Sequence, residues 1–189
     1  MTKLADTILV GPADEARRLW SAVQGAREQT AADPVALIET LDLGLRAAEV
    51  LAIRLLQPVK DRFPATIGAQ LASPPPEVDR HRDGIHVPSV LQFTDVVDLM
   101  SGDELECVSP GLHRGWEDRA FACRRSRGVA RETIGVTLAR QEQMDLLLLA
   151  AYRNRLFRCP PPVQIVPADI HAALPALDRL VEHLLLQLD

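Results

Sequence analysis

Aromatic side chains are scarce in this chain: one tyrosine, two tryptophans and four phenylalanines in 189 residues, 4% of a sequence that is 47% hydrophobic. A core of that composition has to be built from Leu, Val, Ile and Ala. Packed helices suit it better than a sandwich of aromatic-rich strands. Cysteine is rare too. Cys107, Cys123 and Cys159 are odd in number and irregularly spaced, which fits free thiols in a reducing cytoplasm and not a disulfide framework. No run reaches the roughly 18–20 uncharged apolar residues of a membrane span. The opening "MTKLADTILVGPADEARR" has acidic residues on both sides of its short apolar patch, a poor signal peptide. A cytoplasmic protein is expected. Lysine occurs only as Lys3 and Lys60 among 21 basic residues, an arginine bias that reads as the mark of a GC-rich, bacterial genome.

Standard catalytic signatures are missing as well. There is no Cys-x2-Cys, no His-Glu-x-x-His and no paired Glu-x-x-His, so neither a zinc site nor a di-iron site is supported. "HRDGIH" does set His81, Asp83 and His86 close together, but between prolines such a cluster reads as solvated. A P-loop, a Gly-x-Gly-x-x-Gly after a strand and a Gly-x-Ser-x-Gly elbow are also lacking. No metal and no cofactor is expected.

What the sequence does contain is helical periodicity. In Ala13–Gln29 the residues Ala16, Leu19, Trp20 and Val23 fall at i, i+3, i+4 and i+7, behind Pro12 and the acidic first-turn pair Asp14 and Glu15. Asp33 as N-cap and Pro34 at the first helical position open a second helix that Pro58 stops. Its stripe Ile38, Leu41, Leu45, Ala48, Ala52, Leu55 runs beside a second one, Leu37, Gly44, Leu51. A helix so widely apolar is expected at the centre. A proline-rich excursion over about 58–87 follows, with Pro74 to Gly84 as an exposed loop. A short helix in "VPSVLQFTDVVDLMSG" then starts near Pro88 and ends before Gly102. Residues 101–115 read as irregular. A long helical stretch from Trp116 to Arg158, with minor breaks at Gly128 and Gly135, precedes a last helix over Ala168–Gln187. The expectation is one all-α domain over 1–189, an antiparallel bundle of four to six helices with a proline-rich loop insertion.

Charge is distributed unevenly. Residues 1–110 carry 17 acidic and 10 basic side chains, residues 111–160 carry 5 and 10, and residues 161–189 carry 4 and 1. A basic middle can bind RNA or another phosphate, or it can meet an acidic surface in the chain or on a partner. In "DRAFACRRSRGVAR", Arg124, Arg125 and Arg127 are phosphate-binding candidates. Phe121 is the only nearby aromatic for stacking, and Glu117, Asp118 and Glu132 dilute the charge, which favours a solvated face. Cys123 in the same run reads as core; exposed, its thiol would be acidified by the arginines. A small-molecule pocket lined by His113, Trp116 and Cys123 is a further reading that no motif supports.

The stretch "LLLLAAYRNRLFR" (Leu146–Arg158) sets an apolar run against Arg153, Arg155 and Arg158 at a helix end. Cations there complement the negative end of the helix dipole by roughly 0.3–1 kcal/mol each. That structural reading needs no catalysis. The motif "YRNRLFR", with "VPADIHAALPALDRLVEHLL" after it and "LDLGLRAAEVLAIRLLQPV" upstream, resembles HEPN domains, in particular the HepT-type toxin partners of small nucleotidyltransferases. The likeness covers about residues 35–60 and 145–187. It implies an up-and-down bundle that commonly dimerises, with an Arg and a His from each of two chains facing each other as a metal-independent ribonuclease. Arg153 and Asn154 match the family's Arg-Asn, but Arg158 stands where its His belongs. An arginine does not give up its proton near neutral pH, so it cannot act as the general base for the 2′-hydroxyl. The resemblance therefore implies a copy inactive as a nuclease, able to bind RNA phosphate through Arg153, Asn154 and Arg158 or to serve as an interaction module. The expected function is a non-catalytic helical interaction or regulatory protein, a subunit or adaptor that meets a protein partner or its own copies. The alternative is a HEPN-like RNA-binding protein or ribonuclease of a toxin–antitoxin or defence system.

Overall fold

The computed structural model describes residues 12–27, 30, 33–72, 91–102, 114–158 and 164–188. Over these residues the chain is all-α. The helices are α1 (Pro12–Arg27), α2 (Pro34–Leu56), α3 (Ala65–Leu71), α4 (Phe93–Met100), α5 (Arg114–Ile134), α6 (Arg140–Arg158) and α7 (Pro167–Leu186). A 3-10 segment, Gln57–Arg62, extends α2. Among the described residues, extended backbone pairs only at a parallel bridge between Ser101 and Leu138, where the Leu138 N–H donates to the Met100 carbonyl at 2.9 Å.

The start of α2 follows directly from its sequence. The Asp33 carboxylate accepts from the Val35 N–H at 2.8 Å, satisfying a first-turn donor, and Pro34 needs no partner there. Both apolar stripes are used: α2 packs against α1, α4, α5, α6 and α7, and Leu41, Leu45, Ala48, Leu51 and Ala52 are fully buried. Gly44 allows α7 to approach, because a Cβ there would lie 2.8 Å from Leu177 Cδ2. On α1 the expected stripe Ala16, Leu19, Trp20, Val23 is buried, and on α7 Ile170, Leu174, Leu177, Val181 and Leu184 are buried.

Ion pairs and hydrogen bonds give the directions of the helices. Glu142 on α6 accepts from Arg179 at 3.0 Å, and Tyr152 on α6 donates to Asp169 at 2.9 Å. The partner number falls as the α6 number rises, so α6 and α7 are antiparallel. Arg27 at the end of α1 reaches Asp178 on α7 at 2.6 Å.

Three boundaries differ from the expectation. Part of the excursion read as irregular over 58–87 is helical: Ile67 and Leu71 of α3 are fully buried, and this burial outweighs the helix-breaking signal of the flanking prolines. The short helix starts at Phe93 and not near Pro88, because Asp95 folds back to accept from the Gln92 N–H at 2.7 Å and completes a capping box. Gly135, with φ 74°, ends α5, whereas Gly128 sits in open space inside α5 and breaks nothing. The loop from Pro74 to Gly84 with His81, Asp83 and His86 lies outside the described residues, as do Pro88, Cys107, His113 and Cys159. The side chains of Trp116, Arg119, Phe121, Phe157 and Arg158 also lie outside them. Among the described residues no helix is long and apolar enough to cross a membrane.

Candidate functional site

The sequence motif around Arg153 is built where α2, α4, α6 and α7 meet. Glu49 faces this junction from the apolar stretch of α2, and its Oε1 does two things. It accepts from Arg153 Nη2 at 2.6 Å and from the backbone N–H of Phe93 at 2.8 Å. One carboxylate oxygen thus neutralises the α6 arginine and satisfies a donor in the first turn of α4, where a negative charge is favoured. The two side chains are 20% and 17% exposed, so the pair is partly desolvated and stronger than a surface pair.

Beside it, Tyr152 is buried, and its Oη donates to Asp169 Oδ2 at 2.9 Å, in the first turn of α7. The hydrogen bond to Asp169 pushes the phenol above its usual value of 10.0, and desolvation and the Asp169 charge add to this. A backbone hydrogen bond to Val166 and the Arg155 guanidinium partly offset the rise. Tyr152 is therefore a protonated donor at neutral pH, not a base. A phenol whose pKa is higher folded than unfolded contributes stability that is complete below pH 10 and is lost as pH climbs through the folded value. Chemical denaturation of the wild type is expected to show this loss above about pH 10, and Tyr152→Phe is expected to flatten that alkaline arm.

Asn154 is half-buried, Arg155 is exposed, and Arg158 contributes the last residue of α6 while its side chain lies outside the described residues. Two imidazoles are described. His171 is exposed on α7, two residues past Asp169 and so about 200° around the helix from it. His183 lies 14 residues beyond Asp169, about 21 Å along α7, with Nε2 3.0 Å from the Ile134 carbonyl. Neither imidazole is hydrogen-bonded to Arg153.

The basic run on α5 divides by helix phase. Arg124 and Arg125 are exposed, whereas Cys123, Ser126, Arg127 and Ala130 turn inward. Arg127 Nη2 pairs with Asp98 Oδ1 at 2.5 Å, Nε donates to the Asp98 carbonyl at 2.9 Å and Nη1 to the Gly102 carbonyl at 3.2 Å. With the two side chains 7% and 12% exposed, this guanidinium closes the C-terminal end of α4 and offers no free fork to a phosphate. Arg127 is thus corrected from a phosphate-binding candidate to a structural cation. Cys123 is a buried thiol outside any disulfide, as a core residue would be. Among the described residues no group of His, Cys, Asp and Glu could hold a metal ion.

Sequence reasoning singled out the cations and missed their partners. Glu49 and Asp98 each carry a charge inside an apolar helical run, "RAAEVLAI" and "VVDLM". A buried carboxylate in such a run has to find a counter-charge, and that signal was available. No protein-family model matches the chain, and no curated protein and no solved structure matches it.

Proposed function

We propose that the chain is a non-catalytic helical interaction protein of the bacterial cytoplasm, a subunit or adaptor of a larger assembly. The observation that carries this reading is the fate of the arginines. Arg153 and Arg127, the most enclosed of the candidates, are neutralised by Glu49 and Asp98, while Met144 and Leu148 of α6 turn outward, 52% and 39% exposed. The two enclosed cations thus serve the fold, and although Arg124, Arg125 and Arg155 stay exposed, α6 also leaves apolar atoms at helical spacing on the surface, which favours a protein partner. Affinity capture of the full chain from its host is expected to retain a protein that Leu148→Glu loses. Arg153-dependent cleavage of total RNA would overturn the reading.

A HEPN-like RNA-binding role is the second reading, favoured by one observation. The two segments that carry the resemblance, "LRAAEV" and "YRNR", are joined through Glu49 and Arg153. On this reading wild type binds tRNA or total RNA in a salt-sensitive way, without cutting it. Arg153→Ala, checked to be folded by circular dichroism, binds roughly tenfold more weakly, as expected for loss of a charge-assisted phosphate contact of about 1.4 kcal/mol. RNA retention that is indifferent to both salt and Arg153 would end this reading.

A further inference from the structure

The exposed side of α6 carries an apolar stripe with a cation at each end. Its inner face is accounted for: Leu146, Leu149 and Ala150 are buried in the core, and Glu142 is tied to Arg179 of α7. On the other side Arg140, Gln141, Met144, Leu148, Ala151 and Arg155 are all exposed. Met144, Leu148, Ala151 and Arg155 are separated by 4, 3 and 4 residues, the spacing at which one helix interlocks with another. Arg140 stands one turn before Met144 and about 40° around the helix from it, so it closes the opposite end of the stripe. The two arginines are about 22 Å apart along the helix axis.

Charge decides what can cover this stripe. Among the described residues neither Arg140 nor Arg155 is joined to a carboxylate, in contrast to Arg153 and Arg179. Asp145 is the carboxylate of α6 nearest the stripe. It lies about 60° around the helix from Leu148, on the flank that Tyr152 turns toward α7, and accepts from Gln141 Nε2 at 2.8 Å. A second copy is repelled in either direction. Laid parallel, it sets Arg155 against Arg155; laid antiparallel across Leu148, it brings Arg155 over Arg140 and Gln141 of its mate, twice by symmetry. A phosphate backbone would suit the arginines but would lie across Met144 and Leu148, with no aromatic on the face to stack a base. A helix that is apolar along one face and carries Asp or Glu near both ends of that face matches the stripe in size and in sign.

We infer that the exposed face of α6 docks an acidic amphipathic helix of a different protein. The inference rests on the interaction reading above and specifies the chemistry of the partner. The full chain, with the photo-cross-linker p-benzoylphenylalanine in place of Leu148, is irradiated in its own host and the adduct is mapped by mass spectrometry. The expected adduct is a segment of another protein with apolar residues at helical spacing and acidic residues roughly four turns apart. The double variant Arg140→Glu/Arg155→Glu is expected to lose it. A synthetic peptide of the mapped segment is expected to bind purified wild type in a salt-sensitive way, and to bind the double variant at least about tenfold more weakly. Exchanging the acidic residues of that peptide for Lys is expected to restore binding to the double variant. All of these positions are on the surface, and unchanged thermal melts will confirm that the variants fold. An adduct with a second copy or with RNA overturns the inference, as does a mapped segment without acidic residues or an adduct indifferent to Arg140→Glu/Arg155→Glu. If the cross-linker captures a protein segment of other chemistry, the acidic-helix assignment fails and the interaction reading stands. If it captures no protein, both fail.

Discussion

Replacing Arg127 with alanine is expected to lower the unfolding free energy by about 3–5 kcal/mol, read as a fall in the urea midpoint at unchanged slope. The cost comes less from losing an attraction than from what is left behind. Asp98 would be stranded as an uncompensated carboxylate at 12% side-chain exposure, the Gly102 carbonyl would lose the Arg127 donor, and the Asp98 carbonyl would keep only the Ser101 N–H at 3.3 Å. Asp98→Ala alone is expected to cost less, since Arg127 keeps both carbonyl contacts. The double variant Arg127→Met/Asp98→Leu is expected to recover part of the loss, because exchanging a buried ion pair for packed apolar groups is often close to neutral. Strict additivity of the two single changes would argue against a coupled pair.

Phe93→Ala is the second large effect, at about 3–5 kcal/mol, the range for removing a fully buried ring that the surroundings cannot refill. Phe93 is 0% exposed and is the first residue of α4. Its side chain fills the core while its backbone N–H is held by Glu49. Truncation therefore opens a cavity at the same point where the Glu49–Arg153 pair is seated. A Phe93→Leu variant, which retains most of the volume, is expected to cost clearly less. Similar losses for the two changes would show that the ring itself is not packed there.

The elements that could be read from the sequence are those whose signals are local. The stripes of α1 and α2 are visible because burial on one side of a helix repeats every three or four residues, and Asp33-Pro34 announces a helix start by its own chemistry. Gly135 could be placed for the same reason, although Gly128, an equal letter in the sequence, breaks nothing because an α-helical glycine in open space carries only a propensity cost. The start of α4 was misplaced because Pro88 is a louder signal than the Gln92–Asp95 pair that caps the helix. The candidate site was legible only by half. "RRSRG" reveals three cations, but not which of them α5 turns toward α4, since that phase is fixed by tertiary packing. Arg153 reads as a helix-end cation until Glu49, 104 residues away, is brought to it.

That separation also bears on the order in which the molecule assembles. The α1–α2 and α6–α7 hairpins join neighbours along the chain, so each closes a short loop at small entropic cost. The Glu49–Arg153 bond needs both hairpins in place, so it is expected to form late, with Glu49→Gln raising the unfolding rate more than it lowers the folding rate. Interactions absent from the transition state govern how fast a protein comes apart, not how fast it forms. The single carboxylate oxygen shared by α2, α4 and α6 is therefore expected to act mainly on the lifetime of the assembled state.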